Sequence, residues 1–387
     1  KPTRFGYVIR ASHGTEFLEF DRLRRDYEGS FVDLSDPRWV FLNTLFSLSE
    51  ASLFAQLVPL ADEGRLPGVR GYAALYSAVR STLDEAHMEG RLKEEILADP
   101  DRFVVADPDT VLTLLDQKYA GKRLVLITNS EWSYTNRMMS HVFDPHLPGE
   151  RGWRDLFDAV VVSAAKPAFF TTTRPLYRVV DEAHGLMQPH LGDLEAGTVF
   201  VGGCAPQLEA HLRVAGDQIL YVGDHLYSDV SVSKALLRWR TALILRELET
   251  EIEAAEAFAA TEERLVELMD RKVRLEEDLA HARLDRQRER HGYASPTGGP
   301  AASEAEIESL RDELARLDDE IAPMAIAAGS LRNEAWGPLM RSGNDKSLFA
   351  RQVERYADVY TSRVSNFLAA TPFAYLRADR GSLPHDR

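Results

Sequence analysis

The chain has 387 residues and a net charge of −15, from 46 Lys and Arg against 61 Asp and Glu, with 44% hydrophobic and 28% charged residues. That length suggests two domains, or one with large insertions, of ordinary globular composition. The charge argues against sequence-independent nucleic-acid binding and against docking on an anionic membrane. Cys204 is the single cysteine, which excludes an intrachain disulfide and a cysteine-built zinc cage. No apolar run reaches the roughly 18 residues of a membrane span, and the first residues do not read as a signal peptide. A cytoplasmic enzyme or scaffold is therefore expected. The sequence opens on Lys1, not on methionine.

Residues 1–35 alternate short apolar and polar stretches and read as strand and turn. Apolar spacing from Trp39 to Leu60 is helical, with Pro59 and Pro67 near its end, and 71–98 predicts another amphipathic helix. Residues 36–120 thus form a mostly helical region. A different grammar fills 121–246. Five short β-branched runs, at 122–128, 157–162, 198–203, 218–224 and 240–245, are separated by helical stretches such as Tyr134–Phe143. Strand and helix alternating at this spacing predict an α/β fold with a parallel sheet, which binds ligands at the carboxyl ends of its strands. From 247 to 328, Ile307, Leu310, Leu314, Leu317 and Ile321 step by three and four, matched by Leu265, Leu268, Leu275 and Leu279 with Lys272 at an inward position. Two antiparallel helices forming a long hairpin arm are expected, and the arm suggests a homo-oligomer. Residues 329–387 return to globular composition, with Tyr356, Tyr360, Phe367, Phe373 and Tyr375 as expected core.

Three strand ends carry polar residues. The run ending Gly223-Asp224 is followed by Asp229, and two carboxylates presented so suit Mg²⁺; alternatively Asp229 is a helix cap and Asp224 a turn residue. Thr128-Asn129-Ser130 closes a second run, where hydroxyl, amide and backbone N–H groups can hold phosphate oxygens. Lys166 follows a third, where its charge can neutralise a phosphate or a carboxylate, or stand solvated.

In this order, Thr128, Lys166 and the Asp224/Asp229 pair resemble the second, third and fourth motifs of the haloacid dehalogenase superfamily of phosphohydrolases. Leu42-Asn43-Thr44-Leu45-Phe46, Lys166-Pro167-Ala168-Phe169-Phe170, Gly223-Asp224-His225 and 348–358 resemble its cytosolic purine 5′-nucleotidase branch. The resemblance implies a Rossmann-like core with a helical cap. It implies Mg²⁺-dependent hydrolysis of nucleoside 5′-monophosphates, purines preferred, through an aspartyl-phosphate. Asp224 and Asp229 would form the metal site, with Thr128, Asn129, Ser130 and Lys166 around the phosphoryl group. Asn43 and Phe46 would flank the base, and Arg80, Asp84, His87 and Lys93 would face the nucleotide from a cap helix. Positions 80, 84 and 87 do share one helical face, although Arg80 and Asp84 could equally be a surface ion pair. Two features depart from the branch. Met88 stands where a tyrosine is expected, and Val232 and Ala235 thin the basic cluster around Lys234, so activation by nucleotides is not expected.

Such enzymes begin with Asp-x-Asp on a first strand. Asp107-Pro108-Asp109 fits the letters, but only 21 residues separate Asp107 from Thr128, too few for strand, flap and helix. Asp107 reads better as a helix N-cap with Pro108 in the first turn. The nucleophile is expected upstream of Lys1. The chain as given is then inactive and the full-length protein an enzyme. Two alternatives remain: a catalytically dead scaffold assembling through its arm, and a nucleoside phosphotransferase using the same residues.

Overall fold

A computed structural model of the chain describes residues 6–33, 35–42, 45–182, 184–293, 301–330, 337–342 and 345–376. The chain divides into two compact units, residues 1–246 with 340–387, and residues 247–339.

In the first unit, the N-terminal strand-and-turn expectation is met among the described residues by a two-residue ladder, Ser12–His13 against Glu16–Phe17, and an isolated antiparallel bridge between Tyr7 and Phe31. An eight-residue helix, Phe20–Tyr27, follows and buries only Leu23, too short a period to stand out among its charges. The helix expected from Trp39 starts at Leu48 and runs to Asp62 (α1), with Pro59 inside its last turn. Pro59 lacks an N–H, but its carbonyl still accepts from the Glu63 N–H at 3.0 Å, so the turn survives. Gly71–Met88 (α2) packs Leu75 and Val79 against Val58 of α1. The single helix predicted over 71–98 is two, because Gly90 adopts a left-handed φ of 77° before Arg91–Ala98.

Val125–Ile127 (β1) and Ala159–Val162 (β2) pair in parallel, with Val125 opposite Ala159. Leu176–Asp181 (β3) and Leu186–His190 (β4) form an antiparallel hairpin, and Val199–Gly202 (β5) joins β2 in parallel and β3 antiparallel. The sheet order is β1-β2-β5-β3-β4. It is mixed rather than wholly parallel, since the short β3–β4 connection can only turn the chain back. Leu220–Gly223 (β6), Arg240–Ile244 (β7) and Val359–Thr361 (β8) make a second, wholly parallel sheet of order β8-β7-β6.

Strand β2 is buried on both faces, which explains its unbroken apolar run. Val160 and Val162 pack with Val111, Trp153 and Leu156. Val161 faces a cluster that holds Phe200 of the first sheet together with Tyr221 of the second and Trp239 beside it, so the two sheets share one core. Among the described residues β1 and β6 are end strands, each paired on one side only. Toward the C-terminus, Ala350 and Val353 are buried, but Tyr360, Phe373 and Tyr375 are exposed rather than core. Tyr375 instead lies against the Arg240 guanidinium, 4.2 Å from its ring centre.

The second unit holds Glu249–His291 (α3) and Glu304–Ser330 (α4). Leu268 packs with Leu317 and Ile321, joined by Leu265, Leu275 and Met324. Arg264 pairs with Glu320 at 2.9 Å, Arg271 with Glu313 at 2.5 Å and Arg286 with Glu304 at 2.6 Å. Numbers rise on one helix as they fall on the other, so α3 and α4 run antiparallel. Lys272, the polar break in the seam, is held by Asp318 at 2.5 Å.

Candidate active site

The carboxyl end of β1 is laced to the loop after β2. Thr128 donates its N–H to the Val161 carbonyl at 2.9 Å and accepts from the Ala164 N–H at 3.0 Å, while Ser163 N–H donates to the Ser130 carbonyl at 2.9 Å. Asn129 grips Lys166 by its backbone. Its Oδ1 accepts the Lys166 N–H at 2.6 Å and its Nδ2 donates to the Lys166 carbonyl at 3.1 Å. Between these clamps, Ser163 and Ala165 hold left-handed φ angles of 48° and 57°, which non-glycine residues adopt only when their surroundings enforce them. The Lys166–Pro167 peptide is cis. Asn129 is thus a brace for the lysine, while the Thr128 hydroxyl accepts from the Ser130 N–H at 3.1 Å and keeps its own proton to donate.

The Lys166 ammonium reaches across to the second sheet. Its Nζ lies 2.9 Å from Asp229 Oδ1 and 3.1 Å from the Tyr221 hydroxyl, and that hydroxyl donates to the same Asp229 oxygen at 3.1 Å. Side-chain exposure is 15% for Lys166 and 3% for Asp229, so this is a buried charge pair. Asp229 Oδ2 accepts the His225 N–H at 3.2 Å, which leaves both carboxylate oxygens engaged. Asp229 lies in a single wide turn, Leu226–Ser231, of the π type often found at functional sites. Gly223 makes its approach possible: a Cβ there would stand 2.8 Å from Asp229 Cβ. Burial, then the charge of Asp229, pushes the Tyr221 phenol far above its ordinary ionisation, so it stays neutral.

Asp224, at the tip of β6, keeps contact with solvent. Among the described residues no other side chain is hydrogen-bonded to its carboxylate. The protein around the carboxyl nevertheless removes water and holds its pKa above the usual value, and Asp229 adds to this; a hydrogen bond from its own backbone, then Lys166 and His225, oppose it without cancelling it. Phe46 stacks on the adjacent His225, ring centres 5.0 Å apart, and is itself 55% exposed.

Lys93 reaches this edge as well, paired with Glu131 beside Ser130 and lying 5.0 Å from the Tyr134 ring centre. Arg80, Asp84 and His87 are exposed on α2. Arg80 and Asp84 form no ion pair among the described residues, and no contact joins any of the three to the Lys166 cluster. Asn43 lies outside the described residues. Tyr221 and His225 escaped the sequence reading. The signal for Tyr221 was strand alternation, which puts it on the same face as Gly223. Asp107, by contrast, caps the helix Pro108–Tyr119, its Oδ1 accepting the Asp109 N–H at 3.2 Å, so Asp107-Pro108-Asp109 is not a strand.

No three His, Cys, Asp or Glu side chains converge into a metal cage among the described residues. No helix among them is long and apolar enough to cross a membrane.

These features define an α/β protein that gathers Lys166, Asp229 and Tyr221 in one buried cluster, with Asp224 within electrostatic reach of it at the end of β6. Residues 1–387 match the 5′ nucleotidase family, and the chain belongs to it. A 5′-nucleotidase domain-containing protein of Dictyostelium discoideum is 26% identical over 370 residues, covering 94% of this chain and 56% of its own length. The human 5′-nucleotidase domain-containing protein 2 is 29% identical over 327 residues, with 84% and 56% covered, and its rat counterpart 29% over 297 residues, with 76% and 48% covered. The chain spans about half the length of these relatives.

Proposed function

We propose that the intact protein is a haloacid dehalogenase-type 5′-nucleotidase that hydrolyses nucleoside 5′-monophosphates, purines preferred, with Mg²⁺ and through an aspartyl-phosphate. The observation that carries this reading is the Lys166 ammonium, fixed by Asp229 and Tyr221 with one N–H unspent, beside the Asp224 carboxylate. That N–H and the Thr128 hydroxyl would meet phosphoryl oxygens as negative charge shifts onto them. Asn129 would keep Lys166 in place. Phe46 would offer the base a ring to stack on, and Lys93, Arg80, Asp84 and His87 would orient the nucleotide.

The residues present fit Mg²⁺ through Asp224: its oxygens are hard donors without a side-chain partner, and crowding there leaves negative charge uncompensated. Mg²⁺ is held by one or two carboxylates with waters and phosphate. When bound, it would supply charge neutralisation at the phosphate. Asp229 would act behind Lys166 rather than touch the metal, since Lys166, Tyr221 and the His225 N–H already use its oxygens.

The nucleophilic aspartate would come from a strand outside this chain, seated between β6 and β1. Support comes from the two edges: both end strands are parallel members of their sheets, both feed one core, and Leu220 and Val222 of β6 are 38% and 39% exposed. One experiment tests the reading. Full-length protein is assayed for phosphate release from inosine monophosphate, with and without added nucleoside, beside Asp224→Asn. Mg²⁺-dependent release abolished by the substitution is expected. Activity that survives it would remove Asp224 from the site, transfer to nucleoside would make the protein a phosphotransferase, and no turnover at all would favour a scaffold.

A further inference from the structure

Helix α3 has two apolar faces, and α4 covers one. The leucine seam around Leu265, Leu268 and Leu275 is consumed between the two helices. A second stripe recurs on a strict seven-residue period: Ile252, Val266 and Val273, with Ala259 and Ala280 on the same register and Met269 beside them. It lies about a third of a turn around the helix from the seam. Ile252, Val266, Met269 and Val273 are 41%, 51%, 41% and 47% exposed. A helix with no second partner has no reason to keep β-branched residues on that period facing water.

Charge tells what covers the stripe. The basic residues Arg264, Arg271, Lys272 and Arg286 are all paired with acids of α4. The stripe is flanked instead mainly by carboxylates, Glu256, Glu262, Glu263, Asp270 and Glu277, none of which has an ion-pair partner among the described residues, with Arg274 on the same side. Two copies of α3 would meet badly. In a parallel pair Asp270 and Glu277 face Leu265 and Lys272 of the other copy, and the Lys272 ammonium is already held by Asp318. In an antiparallel pair centred between Val266 and Val273, Glu262 falls opposite Glu277. Self-association through this stripe would leave the flanking carboxylates without a free cation to meet them.

We propose that the Ile252–Val273 face of α3 docks an amphipathic helix of a partner protein, one with apolar residues on a matching heptad and Lys or Arg on both flanks. Apolar contact along the stripe supplies affinity, and the carboxylate flanks select the partner and fix its register. The surface belongs to α3 alone and does not depend on any catalytic activity.

The test uses the full chain and two synthetic helices of about four heptads, leucine-seamed, one lysine-flanked and one glutamate-flanked. Binding is read by fluorescence anisotropy. The lysine-flanked helix should bind at least about tenfold tighter than the glutamate-flanked one. Val266→Ser/Val273→Ser should weaken it about tenfold or more, with helicity by circular dichroism unchanged. Glu263→Lys/Glu277→Lys, which leaves the stripe intact, should reverse the preference. Binding indifferent to the valines would be plain charge attraction and would overturn the proposal. So would failure of the charge reversal to change the preference, or sedimentation showing a dimer that the valine substitutions dissolve, which would make a second copy the occupant.

Discussion

Asp229 is nearly sealed from solvent, and its charge is tolerable because Lys166 and Tyr221 face one oxygen and a backbone N–H the other. Removing the lysine strands that charge. Lys166→Met is therefore expected to lower stability by about 3 kcal/mol, and Lys166→Met/Asp229→Asn by clearly less than the sum of the single changes. Urea unfolding of the four proteins checks this, and additive losses would mean the pair is not coupled. The same pairing means that Lys166→Ala would disturb the fold as well as any role the lysine has toward phosphate, which strand-end position alone did not reveal. Asp224 behaves oppositely. Its pKa is raised on folding, so the folded chain binds the proton more tightly than the unfolded one, and its contribution favours folding at low pH and is lost as pH rises through the raised value. Asp224→Asn should thus raise the melting temperature at neutral pH, on the order of a degree or two. A fall in melting temperature would contradict the crowding around that carboxyl.

At the scale of the element, helices were legible where period and length agreed, and boundaries moved where one residue decided them. The spacing over 71–98 reads as one helix, but Gly90 takes φ 77° and splits it. The leucine seam of α3 and α4 was readable because seven-residue repeats persist over many turns. The hairpin β3–β4 was not, since Leu186 and Met187 are exposed at the sheet edge and carry no alternation. Lys272 is the polar break in the seam, bonded to Asp318 at a half-exposed position. Such a pair contributes little against the apolar contact it displaces. Lys272→Leu is expected to stabilise the 247–339 unit by about 1 kcal/mol, read by thermal circular dichroism. A loss of comparable size would show that the lysine sets helix register instead. Gly223→Ala should lower stability by about 1–3 kcal/mol, because a Cβ would press on Asp229.

For the molecule as a whole, the end strands β1 and β6 have a measurable consequence. Among the described residues β2 and β7 are paired on both sides, while β1 and β6 are paired on one side only. Amide protons of β1 and β6 should exchange about tenfold or more faster than those of β2 and β7. Adding a peptide that supplies the proposed middle strand should slow the first pair and leave the second unchanged. Equal protection at the outset would mean that the edges are already covered. By itself the sequence determined the α/β class, the five apolar runs, the Asp107 cap and the long heptad pair, because these follow from local periodicity and from the chemistry of single residues. It also marked Thr128 and Asp224 at strand ends and Lys166 and Asp229 a few residues beyond, since a buried run ending on a polar side chain is visible in one dimension. Only the tertiary structure decided that Lys166 and Asp229 neutralise each other, that Asn129 braces a backbone and that Tyr221 completes the cluster. Lys166 meets Asn129, Tyr221 and Asp229 from 37 to 63 positions away, and a distance across a sheet leaves no trace in local pattern.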